Sequence, residues 1–121
     1  MKNMLYCIGL FFTMHHTVAV FLSVHSDFNS YVQVYDAMGS IIAADFVFPG
    51  KTVEANTGII GLDRVRWLGS NKKVYEYRFD SAQVTQKNIV QIWKDNANMI
   101  DVNGVTVSLG EFQSRLQLLY E

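Results

Sequence analysis

Residues 100–109 read IDVNGVTVSL, with an Asn-Gly pair at their centre. Ile100 and Val102 alternate with polar neighbours up to Asn103-Gly104, and Val105, Val107 and Leu109 alternate away from it. Successive strand side chains point to opposite faces, so a period of two marks a half-buried strand. Asn-Gly supplies the two positive-φ positions of a type I′ turn, whose twist matches that of the strands it joins. The stretch therefore predicts a tight β-hairpin with Val102 opposite Val105.

Similar signals recur toward the N-terminus. Ile89 to Trp93 reads as a strand and 94–98 as its turn. Val74 to Phe79 alternates strictly, with Tyr75, Tyr77 and Phe79 on one face and Val74, Glu76 and Arg78 on the other. Val65 to Leu68, Ile41 to Phe48 and Tyr31 to Tyr35 carry β-branched and aromatic residues at strand density. Pro49-Gly50 ends one of these runs, because proline donates no ladder hydrogen bond. Residues 51–56 are the least determined, and Gly58 and Gly61 read as two weak points in a strand over 57–62. A faint repeat links Trp67 and Trp93, each followed seven positions later by an apolar residue, Val74 or Ile100. Two similar hairpins packing both tryptophans into one core would explain it. Ser108 and Glu111 form a capping-box pattern, and Phe112, Leu116 and Leu119 share a helical face, so a short C-terminal helix is expected. The predicted class is mainly β: an antiparallel sandwich or roll of about seven to eight strands.

A hydrophobic helix is expected ahead of this domain. Residues 3–26 form 24 consecutive positions without Asp, Glu, Lys or Arg. Met4 to Val24 as a helix would reach about 30 Å, the thickness of a bilayer's hydrocarbon core. A membrane anchor is one reading. A secretory signal cut near Val24-His25-Ser26 is another, and a buried helix or strand pair is the third. The first two divide the chain into an anchor or signal at 1–26 and an extracytoplasmic β domain at 27–121. They make the membrane a partner through residues 4–24. His15 and His16 point about 100° apart on a helix and could not chelate one metal from one face. Cys7 reads as a small apolar side chain.

Composition narrows the function further. Residues 27–121 carry 9 basic and 11 acidic side chains with no run longer than Lys72-Lys73. That gives no basic face for nucleic acid, which is not expected as a partner. No histidine follows His25 and no cysteine follows Cys7. Over 27–121, then, Ser-His-Asp and Cys-His catalysis and imidazole or thiolate metal sites are not expected. Phosphate-cradling glycine motifs are absent as well, and no cofactor is expected. A hydrolase using carboxylates alone stays open, with Asp45 conspicuous inside the apolar run IIAADFVF. It lies either on a solvated face or in a deliberately buried place.

The string VQIWKDNANMIDVNGVTVSL, with the earlier SDFNSYVQVYD and VRWLGSNKKVYEY, resembles a pattern in small bacterial membrane-anchored domains of unknown function. The resemblance implies an N-terminal anchor followed by an all-β domain outside the cytoplasm, and it brings no activity or catalytic residues with it. The expected function is a non-enzymatic interaction or accessory module at the cell envelope that binds an unknown protein partner. An immunity-type inhibitor of a toxin acting outside the cytoplasm is the alternative. Tyr75, Tyr77 and Phe79 are the candidate partner-binding stripe, because tyrosine joins a large apolar ring to a hydroxyl. The same stripe could equally be core.

Overall fold

The computed structural model describes residues 19–96 and 98–109. Nine strands lie among them: β1 (Phe21–Ser26), β2 (Ser30–Asp36), β3 (Ile41–Val47), β4 (Val53–Asn56), β5 (Leu62–Leu68), β6 (Val74–Arg78), β7 (Lys87–Ile92), β8 (Met99–Val102) and β9 (Val105–Ser108). They form a five-stranded sheet ordered β4-β1-β7-β8-β9 and a four-stranded sheet ordered β3-β2-β5-β6. Every pairing is antiparallel except β1 with β7, which run parallel. Leu22, Val24, Val90, Ile92, Ile100 and Val102 of one sheet share a single core with Val32, Val34, Val65, Trp67 and Tyr75 of the other. Two sheets that each bury one face against the other make a sandwich.

Connections alternate between two ends. Residues 37–40, 57–61, 79–86 and 103–104 lie at the end where β1 begins, the proximal end; 27–29, 48–52, 69–73, 93–96 and 98 lie at the distal end. The hairpin at the proximal end is as the sequence predicts: φ is 52° at Asn103 and 86° at Gly104, and Val102 pairs with Val105.

The expected helix over Met4 to Val24 is corrected at its C-terminal part. Phe21 to Ser26 is a strand between β4 and β7, with Leu22, Val24 and Ser26 buried, so the β domain starts six residues before Asp27. Here the period of two prevails over the apolar run, because the core accepts one face of β1 and neighbouring strands satisfy its backbone on both edges. Residues 4–18 of the expected helix lie outside the described residues, as does the expected C-terminal helix beyond Leu109. Among the described residues no helix is long and apolar enough to cross a membrane.

Three smaller expectations also change. Residues 53–56 are a strand. Residues 57–61 are a loop, in which positive φ at Gly58 (61°) and Gly61 (102°) turns the chain where a strand was read. Trp67 is core, but Trp93 is only partly buried and lines a distal groove with Asp27, Asp95 and Met99. The cause is phase: Val65 and Trp67 face inward on β5, whereas on β7 Val90 and Ile92 do. One residue of offset sends Trp93 to the other side.

Asn88 ties the proximal end together. Fully buried on β7, its Nδ2 donates to the carbonyls of Phe21 (3.0 Å) and Thr85 (2.8 Å), and its Oδ1 accepts from Thr85 N at 3.0 Å. A buried amide with every group bonded is stabilising, whereas one left short is costly.

Candidate interaction surface

The outward face of the four-stranded sheet carries the densest chemistry among the described residues. Register places Gln33 beside Arg66 and Arg66 beside Glu76, with Tyr35 beside Arg64 and Arg64 beside Arg78 in the next row. Arg66 donates through Nη2 and Nε to Glu76 Oε1 at 2.8 and 3.3 Å. Arg64 Nη1 and Arg78 Nη1 share Asp63 Oδ2 at 3.3 and 3.2 Å. Arg64 Nε lies 3.5 Å from Glu76 Oε1, an ion-pair distance without a hydrogen bond. The Arg64 and Arg66 guanidiniums stand 4.2 and 5.2 Å from the centre of the Tyr35 ring. Tyr35 in turn donates its hydroxyl to Gln33 Oε1 at 3.0 Å.

This is a guanidinium–aromatic network in which cations rest on the electron-rich face of a ring. Glu76 and Arg66 are largely covered, whereas the Arg78 side chain is 61 % exposed. Toward edge strand β3, Tyr31 and Phe46 meet edge to face with centroids 5.1 Å apart, and Phe46 is 53 % exposed. Asp45 is solvent-exposed. Its carboxyl is held below the usual range by the Lys51 ammonium at 2.8 Å and by the Phe46 N–H. A charged side chain on edge strand β3 also discourages further strand addition.

The stripe singled out from the sequence faces the other way. Tyr75 is buried in the core, stacked on Trp67 with centroids 6.1 Å apart, and its hydroxyl accepts from Asn71 Nδ2 at 2.8 Å. Tyr77 and Phe79 are half-buried and pack edge to face at 5.0 Å. Tyr77 also lines a cleft of about 270 Å³ with Val102, Val105 and Val107, where β6 and β9 flank the core. Burial there pushes the Tyr77 phenol above its ordinary value, and the charge of Asp80 adds to the effect. Tyr75 offers a partner no surface, and only the Tyr77–Phe79 end of the stripe reaches solvent. The signal that locates the arginine cluster was in the sequence: Arg64 and Arg66 lie two apart on β5, Glu76 and Arg78 two apart on β6.

Because β1 belongs to the sheet, one histidine does too. His25 Nε2 and Ser23 Oγ lie 3.1 Å apart on the outer face of β1. The pair sits on a central strand, whose amides are engaged in the ladders to β4 and β7. No group of three His, Cys, Asp or Glu side chains among the described residues could hold a metal ion. No family model, curated protein or solved structure matches this chain.

Proposed function

We propose that this chain is a non-enzymatic β-sandwich that works by binding another protein at the bacterial cell envelope, secreted or held at the membrane by its N-terminal apolar stretch. The observation that supports a binding role is the outward face of β2, β3, β5 and β6. Over the buried Gln33 and Tyr35 it brings the partly exposed Tyr31 and Arg64 together with the exposed Arg78 and Phe46. Aromatic residues and arginine are enriched among the residues that carry binding energy at protein interfaces. Arg64 and Arg66 are held in place by Tyr35, Asp63 and Glu76, so little side-chain freedom remains to be lost on contact.

The test uses the full chain, crosslinked in envelope fractions of its source cells and compared with Phe46→Ser and Arg78→Glu. Both positions are exposed, and because Arg78 pairs with Asp63 and Glu76, thermal melts of both variants check that the fold is kept. Loss of the same crosslinked partner in both variants is expected. Retention in both would remove this face from the interaction. A reporter fused after Glu121 should be active only outside the cytoplasm, and activity inside would overturn the location.

A further inference from the structure

We infer that the proximal end of the sandwich seats directly on a lipid bilayer, with the tips of its 37–40 and 57–61 loops in the headgroup region. The inference rests on the membrane-held form of the reading above. The two ends differ sharply in charge. The distal connections carry Asp27, Lys51, Lys72, Lys73, Lys94 and Asp95, whereas the four proximal ones contain Asp80 alone. The proximal loops also project large apolar side chains into solvent: Met38 is 77 % exposed, Ile59 72 % and Ile60 47 %.

These tips are held outward by the backbone. Thr57 N donates to Val20 O at 3.0 Å, Gly58 N to Asn56 Oδ1 at 2.9 Å, and Ala37 N to Gly61 O at 2.9 Å. The last bond places the Met38 turn beside the Ile59–Ile60 loop. Asp36 Oδ1 accepts from Met38 N and Ser40 N at 2.9 and 3.0 Å and fixes that turn as well. Apolar side chains on braced loop tips suit an interface that is apolar on one side and wet on the other. Lys87, at the end of the 79–86 loop, adds positive charge near the same end, which suits phosphate headgroups, while Arg78 across that loop is paired with Asp63.

The course of the chain points to lipid as the occupant. Residues 3–20 carry no Asp, Glu, Lys or Arg, with Thr13, His15, His16 and Thr17 the polar side chains nearest β1, and Val20 is already bonded to Thr57. The 17 residues from Asn3 to Ala19 would reach about 25 Å as a helix, at the short limit for spanning a bilayer. With that stretch in the membrane, no slack remains to hold the domain away from the surface. The end at which β1 begins must meet it.

The experiment uses the full chain with Cys7→Ser and one environment-sensitive label, at Ile59→Cys or, on the distal turn, at Ser70→Cys. Each is reconstituted into phosphatidylcholine–phosphatidylglycerol vesicles and floated on a gradient. Co-flotation, a blue-shifted Ile59 label quenched by lipids brominated near the headgroup, and an unquenched, water-exposed Ser70 label are expected. Co-flotation with a water-exposed Ile59 label would overturn the seating and leave the tether standing. Failure to float would overturn both. An Ile59 label shielded in native envelopes but wet in pure lipid would assign the surface to a protein instead, and overturn the lipid assignment.

Discussion

Asn103 Nδ2 donates to Asn88 Oδ1 across 3.1 Å, while Asn103 Oδ1 accepts from the Ile89 amide at 2.8 Å. One residue thus supplies a positive-φ position of the β8–β9 turn and fastens that turn to β7. Through Asn88 the contact continues to the carbonyl of Phe21 on β1.

Asn88 should therefore be the costliest polar position at the proximal end. Asn88→Leu removes, at a buried position, its bonds to the Phe21 and Thr85 carbonyls, the Thr85 amide and Asn103 together, each worth roughly 0.5–1.5 kcal/mol. Asn103→Gly keeps the turn geometry and loses only the side-chain bonds, so it should cost less, about 1 kcal/mol. Urea midpoints of the two single variants and the double variant measure this. Strict additivity would show that the two asparagines act independently.

Trp67 and Trp93 should part company. Trp67→Ala empties a site in the shared core and should cost roughly 3–5 kcal/mol. Trp93→Ala removes a partly exposed ring from a groove and should cost less than half as much. Thermal melts of the two variants check this, and equal losses would contradict the phase difference between β5 and β7.

The arginine network makes a similar contrast. Glu76 is largely covered and answers to Arg64, Arg66 and Arg78. Glu76→Ala leaves buried guanidinium charge short of its partner, a loss of about 3 kcal/mol. Arg78 is mostly exposed and screened, and Arg78→Ala should change stability by less than about 1 kcal/mol. Chemical denaturation in low and high salt checks both, with Arg78 the more salt-sensitive.

Tyr77 predicts the alkaline limb of stability. Its phenol is raised in the folded state, first by desolvation and then by Asp80. The folded protein therefore holds that proton over a range in which the unfolded chain has lost it. The contribution is complete below the unfolded value, about 10, and disappears as pH rises through the folded one. Tyr77→Phe should flatten the fall in stability above that pH. A parent and variant with parallel alkaline profiles would count against the assignment.

The features legible in the sequence are those written within a few residues. The Asn103-Gly104 turn and the alternation over 74–79 need no distant partner to be read. β1 was hidden because its outward positions include Phe21, which blurs the contrast between faces and merges the strand with the apolar stretch before it. β4 escaped because only Val53 and Ala55 of its four residues face the core. The arginine cluster required the register between β5 and β6, and the inward turn of Tyr75 required knowing which face the second sheet covers. Neither is a local quantity.

The parallel pairing of β1 with β7 matches Phe21 to Lys87, 66 positions along the chain. Closing so long a loop costs entropy before any contact rewards it, which places this topology among slow folders, on a scale of milliseconds to seconds. During synthesis the first strand leaves the ribosome long before its central neighbour exists. It must wait with an open, apolar edge, so the amino-terminal end of this domain is the part most in need of a chaperone's protection.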